Sequence, residues 1–195
     1  MKEIPIFDPY VTELEERHRD LFCTFRAGRH NENFTSFLQD EALDWMKSGD
    51  GVTYLVIDRA EDVVAAYFTL AASLIPFIDR IKEDDGSYNE QTWGIPSIEI
   101  KMFAVNERYQ NTIYQGELIS ASILAMIRHI IVNEISPSIV GAKAIFLHST
   151  EEAENFYLKN DFCYLEGNMR PVHCVDDGLT AMYYPFREFF MNYEE

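Results

Sequence analysis

The chain is poor in cysteine, in glycine and in positive charge. Its 195 residues hold three cysteines, nine glycines and 16 Lys plus Arg against 33 Asp plus Glu, a formal net charge of −17. Cys23, Cys163 and Cys174 form an odd set without metal-ligand spacing, which excludes a disulfide framework and predicts buried or incidental thiols in a reducing compartment. His173 adjoins Cys174, but no further ligands accompany them, so no metal site is expected. The acidic balance argues against nucleic acid or an anionic membrane as a partner held by general attraction, and it suits a cationic substrate such as an amine. No apolar run long enough to span a bilayer is read in the chain, and no charged-then-apolar leader follows Met1, so a soluble cytoplasmic protein is expected. Repeats, low-complexity tracts and linkers are missing too. Residues 1–195 therefore read as a single domain, with 47% hydrophobic content to build a core.

What is present is organised around residues 98–135. Ser97 to Val105 reads as a strand with apolar residues on both faces and one carboxylate, Glu99, the pattern of an interior strand. A polar, punctuated segment follows from Asn106 to Glu117. Leu118, Ile119, Ile123, Ile127, Ile130, Ile131 and Ile135 then recur at helical spacing, with Pro137 closing the helix. A strand that turns into a helix start offers unpaired N–H groups and a helix dipole to an anion such as pyrophosphate. Further on, Ala142 to His148 is a second apolar strand, and Thr150 is an N-cap for an acidic first turn that opens a helix toward Phe162.

The flanking segments complete the order. Val11 to Arg19 reads as a short helix, Leu21 to Phe25 as a first strand, and Phe34 to Met46 as a helix stopped by Gly49-Asp50-Gly51. Val52–Ile57 and Val63–Leu74 read as an antiparallel hairpin. Residues 79–93 are polar and acidic, read either as a solvated loop or as a substrate-side flap. Leu179 to Tyr184 is expected as the last strand. Beyond it Phe186, Phe189, Phe190 and Tyr193 form an apolar helical face that packs on its own domain or, alternatively, makes a homodimer contact.

Two of these stretches carry a family likeness. The run Ala153-x-x-Phe156-Tyr157-x-Lys159-x-x-Phe162, with Val105 followed at a distance by Gln110 or Gln115-Gly116 and the helix start Leu118-Ile119-Ser120, resembles the GNAT superfamily of N-acetyltransferases. The likeness covers roughly residues 52–184. It departs from the family's pattern where Asp161 and Leu118 or Ile113 replace glycine and where Thr150 replaces Asn. Asn33 to Leu38 and Tyr67 to Ala71 look like the toxin-type branch, whose members acetylate aminoacyl-tRNA. The resemblance implies an α/β (α+β) GNAT fold, a mixed central sheet with helices on both faces. It also implies acetyl-CoA as acyl donor and a small-molecule or peptide amine as acceptor. The main chain of Phe103, Ala104 and Val105 would hold the pantetheine arm. Turn groups among Gln110, Gln115, Gly116, Leu118, Ile119 and Ser120 would hold the pyrophosphate, with Thr150, Ala153 and Phe156 lining the cofactor side. The resemblance makes Tyr157 the general acid for the departing thiolate. Glu99, six residues before Val105, is the candidate base, or else a solvated glutamate near a strand end. His148 reads as a hydrogen-bonded structural residue. Two alternatives stay open: a binding or regulatory module on this fold that has lost catalysis, and a toxin-type enzyme acting on charged tRNA.

Overall fold

Hydrophobic alternation and helical period locate most of the elements. The structure, a computed structural model, describes residues 1–29, 31–83, 85–171 and 178–186. His173, Cys174, Phe189, Phe190 and Tyr193 lie outside the described residues. The chain divides into two units, residues 1–71 with 100–127 and residues 72–99 with 128–195. Two strands, β4 (Val63–Lys82) and β5 (Tyr88–Val105), contribute to both.

In the first unit β2 (Pro9–Glu13) pairs antiparallel with β3 (Val52–Asp58), Tyr10 opposite Ile57, and β3 pairs antiparallel with β4, Thr53 opposite Thr69. The expected hairpin is thus present. Its two threonines share a buried 2.8 Å hydroxyl hydrogen bond. The hydrogen-bonded order in this unit is β2-β3-β4-β5. The helical run expected at Phe34–Met46 forms as α2 (Glu32–Ser36), a π-helical turn over Phe37–Glu41, and α3 (Ala42–Ser48). Gly49 ends it at φ +83°, the left-handed conformation that glycine takes without a Cβ clash. Phe37, Leu38 and Ala42 from this run pack with Leu14, Phe22, Phe25, Leu55, Tyr67 and Ala104 in one buried cluster.

Three expectations are corrected here. The strand expected at Leu21–Phe25 is instead helix α1 (Arg19–Phe22) and a following turn, in which the Thr24 hydroxyl donates to the Leu21 carbonyl at 2.7 Å. Phe22 and Phe25, three apart, reach one core by sharing a turn rather than by alternating. The helix expected at Val11–Arg19 is β2 followed by a short 3₁₀ turn at Glu16–His18, because pairing with β3 outweighs a weak local preference. The polar 79–93 segment is no loop. It is the outer part of β4 and β5, turning at Gly86 (φ +86°), where the Asp85 carboxylate accepts from the Ser87 amide. Tyr88 to Gly94 are exposed, so water contacts both faces and the sequence shows no alternation.

A second, three-stranded sheet belongs to the first unit. The strand β1 (Lys2–Glu3) runs parallel to β6 (Thr112–Tyr114), and β6 turns back on β7 (Glu117–Leu118). Helix α4 (Ile119–Ile130) follows at once and buries Ile119, Ile123, Leu124 and Ile127.

In the second unit the order is β4-β5-β8-β10-β9, with β8 at Ala144–Ser149, β9 at Cys163–Tyr164 and β10 at Thr180–Pro185. The last expected strand is therefore present, antiparallel to β8 with Met182 opposite Leu147. Ile75, Ile95, Ala144, Phe146, Met169 and Tyr183 form its buried cluster. Helix α5 (Ser136–Ser138) contains Pro137, after a π-helical turn over Ile131–Ile135. Helix α6 (Glu151–Leu158) is the one expected after β8. By length and composition alone, the helical run Ile119–Ser138 is long and apolar enough to cross a membrane, which corrects the expectation that the chain has no such run. Its inward residues are buried in the protein itself. Cys23 and Cys163 are exposed free thiols rather than buried ones. Among the described residues no cluster of His, Cys, Asp and Glu could hold a metal ion.

Candidate active site

The first unit carries the residues expected to meet the acyl donor. Phe103 is partly buried, and Ala104 and Val105 are buried, at the end of β5. Asn106 then breaks the strand. Its amide N–H donates to Ala65, its side chain donates to the Val64 carbonyl, and its Oδ1 accepts from the Arg108 amide. Tyr109 is anchored by a 2.7 Å hydrogen bond to the buried carboxylate of Asp58, which also accepts from the amides of Asp8 and Ala60. Gln110 spends its amide on the carbonyls of Ala27 and Val105, both at 2.9 Å. The side chain fastens the segment to the fold.

Gln115 and Gly116 sit at the tip of the β6–β7 hairpin with φ of +51° and +85°. A two-residue hairpin loop with both φ positive matches the right-handed strand twist, and this accounts for the glycine at 116. Leu118 is exposed in β7, Ile119 is buried and Ser120 is half-buried at the start of α4. The insertion that separates Gln110 from the helix is therefore a small hairpin. Its side chains include no cation between Gln110 and Ser120. The carboxylate of Glu117 stands by the α4 start, accepting weakly from Ser122 at 3.4 Å. The main chain there fits an anion, as any helix start does, but Glu117 already supplies a negative charge. A cavity of about 340 Å³ opens beside it, lined by Phe7, Pro9, Tyr114, Gln115, Glu117 and Ser122 among others.

The second unit carries the candidate acid and base. Thr150 takes the N-cap position of α6 with extended backbone, and its carbonyl accepts from the amides of Ala153 and Glu154. Its hydroxyl makes no capping bond. Ala153 and Phe156 are half-buried on the helix, and Tyr157 is buried. The Tyr157 ring packs edge-on to Phe156 and to Phe162. Burial pushes its phenol well above the usual value of 10.

Glu99 is buried on β5, which settles its placement against the solvated alternative. Its Oε1 lies 3.5 Å from Nδ1 of His148 on β8. The sequence marked each residue singly and missed the pair, because a pairing between strands leaves no trace in local spacing. The His148 ring meets Phe146 edge-on at 4.8 Å, and its Nε2 is buried without a hydrogen-bond partner among the described residues. Ser97, two positions before Glu99 and so on the same face of β5, has an equally buried and unpartnered hydroxyl.

The element order, the β5 strand running to Val105, the helix after the turn and the Tyr157 helix after β8 make this the GNAT fold, a mixed α+β architecture. Solved structures agree. AtaT in the AtaTR complex bound with acetyl-CoA superposes with a TM-score of 0.65 at 19% identity over 91% of this chain and 94% of that one. AtaT complexed with acetyl-methionyl-tRNAfMet superposes at 0.62, with 19% identity over 91% and 95%. KacT, in the KacTA–DNA complex, superposes at 0.60, with 20% identity over 91% and 93%. No protein-family model and no curated protein matches the chain by sequence.

Proposed function

We propose that the chain, residues 1–195 acting as one domain, is an acetyl-CoA-dependent N-acetyltransferase that passes the acetyl group to an amine by direct attack. The observation that carries the reading is the placement of Tyr157. It sits buried on the helix that follows β8, the position and neighbours that the GNAT resemblance gives the general acid, and its phenol is protonated at neutral pH as any tyrosine's is. Such a group can give a proton to a leaving thiolate but loses none to water beforehand. Glu99, buried beside His148, takes the role of general base toward the acceptor amine. The main chain of Phe103 to Val105 is assigned to the pantetheine arm, and the N–H groups at the α4 start to the pyrophosphate. Positioning supplies most of the rate in such a direct transfer.

One of the structurally similar proteins, AtaT, was solved both with acetyl-CoA and with acetyl-methionyl-tRNAfMet, which favours a second reading in which the acceptor amine is that of an aminoacyl-tRNA. The net charge of −17 opposes it, because tRNA binding gains from cations that neutralise phosphates. A small-molecule or peptide amine in the cytoplasm is the acceptor class that we favour. Calorimetry with acetyl-CoA tests the donor: binding in the micromolar to low-millimolar range is expected, and no heat at millimolar ligand would overturn the proposal. Filter binding to charged and uncharged tRNA at low salt separates the two acceptors, with no retention expected.

A further inference from the structure

The cavity of about 340 Å³ in the first unit lies where three parts of the chain meet: Phe7 ahead of β2, the tip of the β6–β7 hairpin, and the first turns of α4. Its walls are largely apolar and aromatic. The Phe7 ring stands edge-on to Tyr114, with centroids 6.1 Å apart, and also meets Tyr109 at 5.6 Å, so two neighbours fix it. Met126 is one turn beyond Ser122, on the same face of α4. The hairpin loop holds Gln115 and Gly116 at positive φ, so the fold itself sets the rim that carries Gln115 and Glu117. The polar groups on this rim can all accept. Gln115 donates its Nε2 to the Tyr114 hydroxyl at 2.9 Å, which leaves its Oε1 as an acceptor. The Ser122 proton goes to the Leu118 carbonyl at 3.3 Å or to Glu117 at 3.4 Å, and the hydroxyl oxygen keeps its lone pairs. Among the described residues no Lys, Arg or His pairs with Glu117, and none of the residues lining the cavity is basic.

We propose that this cavity binds a small organic cation, a primary alkyl- or arylalkylammonium. An ammonium group brings three N–H donors and no acceptor, which matches Glu117, Gln115 and Ser122. The body of such a ligand meets Phe7, Tyr114 and Met126, and the aromatic faces attract the charge as well. A divalent metal ion needs more oxygen ligands than one carboxylate and its neighbours supply, and no metal-holding cluster occurs among the described residues. An anion would meet Glu117 with no cation to offset it. The net charge of −17 adds a general attraction for cations. Glu117 also stands by the α4 start, the place assigned to the pyrophosphate of the acyl donor. On the acetyltransferase reading the site therefore regulates donor binding. A cation on Glu117 cancels the charge that opposes the pyrophosphate, and by linkage each ligand tightens the other by the same factor. The cation site does not depend on that reading; its effect on the donor does.

Two-dimensional NMR on the full chain, with 2-phenylethylammonium chloride as probe and sodium chloride at equal concentration as reference, tests the site without any activity. Saturable shifts centred on the amides of Gln115, Gly116, Ser122 and Met126 are expected, with a Kd of about 0.1–3 mM. Glu117 is exposed, so its charge adds only a few-fold to affinity. The neutral 2-phenylethanol in the parent, and the ammonium in Glu117→Gln, should each bind about three- to fivefold more weakly. Amide positions away from the hairpin, unchanged in Glu117→Gln, check that the fold is kept. Equal affinity for the alcohol and the ammonium, parental affinity in Glu117→Gln, or no saturable shift at these amides with millimolar probe would overturn the proposal. Calorimetry with CoA, which has no acetyl group to transfer, adds the second arm. Saturating probe should tighten CoA about two- to threefold in the parent and leave its affinity for Glu117→Gln unchanged. A filled cavity with CoA affinity unmoved in the parent would take the pyrophosphate away from the α4 start and leave the cation site standing. A chain that takes the probe but no CoA would overturn the acetyltransferase reading alone.

Discussion

Arg128 and Asp161 are joined across the end of the Tyr157 helix, the guanidinium meeting the carboxylate at 2.9 Å and the Asn160 carbonyl at 2.6 Å. The pairing falls where Asp161 takes φ +66°, in the left-handed region. The family pattern has glycine at this position, and the conformation explains why. Asp tolerates it better than most residues, since its short side chain bonds locally. The same guanidinium lies 4.9 Å over the Tyr184 ring. Asp161 is itself well exposed, so its ion pair contributes little on its own.

Asp161→Gly is therefore expected to be neutral or mildly stabilising, within about 1 kcal/mol, as relief of the positive φ offsets the lost ion pair. Arg128→Met removes the bond to the Asn160 carbonyl and the contact with Tyr184, and should destabilise by roughly 1–3 kcal/mol. Urea denaturation of both variants measures the two effects. A larger loss in Asp161→Gly than in Arg128→Met would invert the assignment.

Tyr157→Phe keeps the ring against Phe156 and Phe162 and removes only the hydroxyl. Turnover should drop by about 10²–10⁴-fold while acetyl-CoA affinity stays within a factor of about two. Tyr157→Ala is the poorer probe, since truncating a buried aromatic costs roughly 3–5 kcal/mol of stability as well. An unchanged rate in Tyr157→Phe would make the side chain core and nothing more.

Much of this arrangement is legible in the chain. The Val52–Asp58 and Val63 strands, the Ile119 helix, β8 and the Tyr157 helix all declare themselves by period and by capping, because each has one face to bury. The failures have a common cause. Residues 88–94 are exposed on both sides of a strand, so neither period shows, and β2 is a strand only because β3 offers it an edge. By its sequence Gln115-Gly116 reads as part of an anion-binding turn. Its positive φ values are accounted for by the β6–β7 hairpin, a demand that a short Gln-Gly motif cannot distinguish from the other. The Glu99–His148 pairing is a matter of sheet order, which spacing along the chain does not encode.

Glu117 offers a separate test of where the acyl donor binds. Its carboxylate sits beside the N-terminus of α4, the place assigned to the pyrophosphate, with Ser122 as its hydrogen-bond partner. Glu117→Gln removes one negative charge and leaves the helix N–H groups free to meet a phosphate. Acetyl-CoA should bind about three- to tenfold more tightly, and the gain should shrink as salt rises toward 0.5 M, where screening shortens the reach of the charge to about 4–5 Å. Calorimetry at two salt concentrations checks both. An affinity indifferent to Glu117 would place the pyrophosphate elsewhere.

The buried phenols give the fold a limit at high pH. Burial raises the ionisation of Tyr67 and Tyr157 far above the usual phenol value of 10, in Tyr67 with a smaller contribution from Glu41. Tyr67 is bound through its hydroxyl to the Phe34 carbonyl at 2.7 Å, so ionising it would also turn a donor bond into a repulsion. Well below pH 10 both folded and unfolded chains keep these protons, and the two groups contribute no pH dependence to stability. As pH rises past 10 the unfolded chain releases them while the folded chain does not, so the equilibrium shifts toward unfolding. The slope is about 1.4 kcal/mol per pH unit for each group once the unfolded phenol is ionised. Tyr67→Phe should flatten the curve by one such contribution, though at neutral pH it gives up the bond to Phe34, at a cost of about 1 kcal/mol. Urea midpoints between pH 8 and 11.5, with tyrosinate absorbance recorded in parallel, measure the slope. Ionisation of all eleven tyrosines near pH 10 with the fold intact would contradict the burial of both rings.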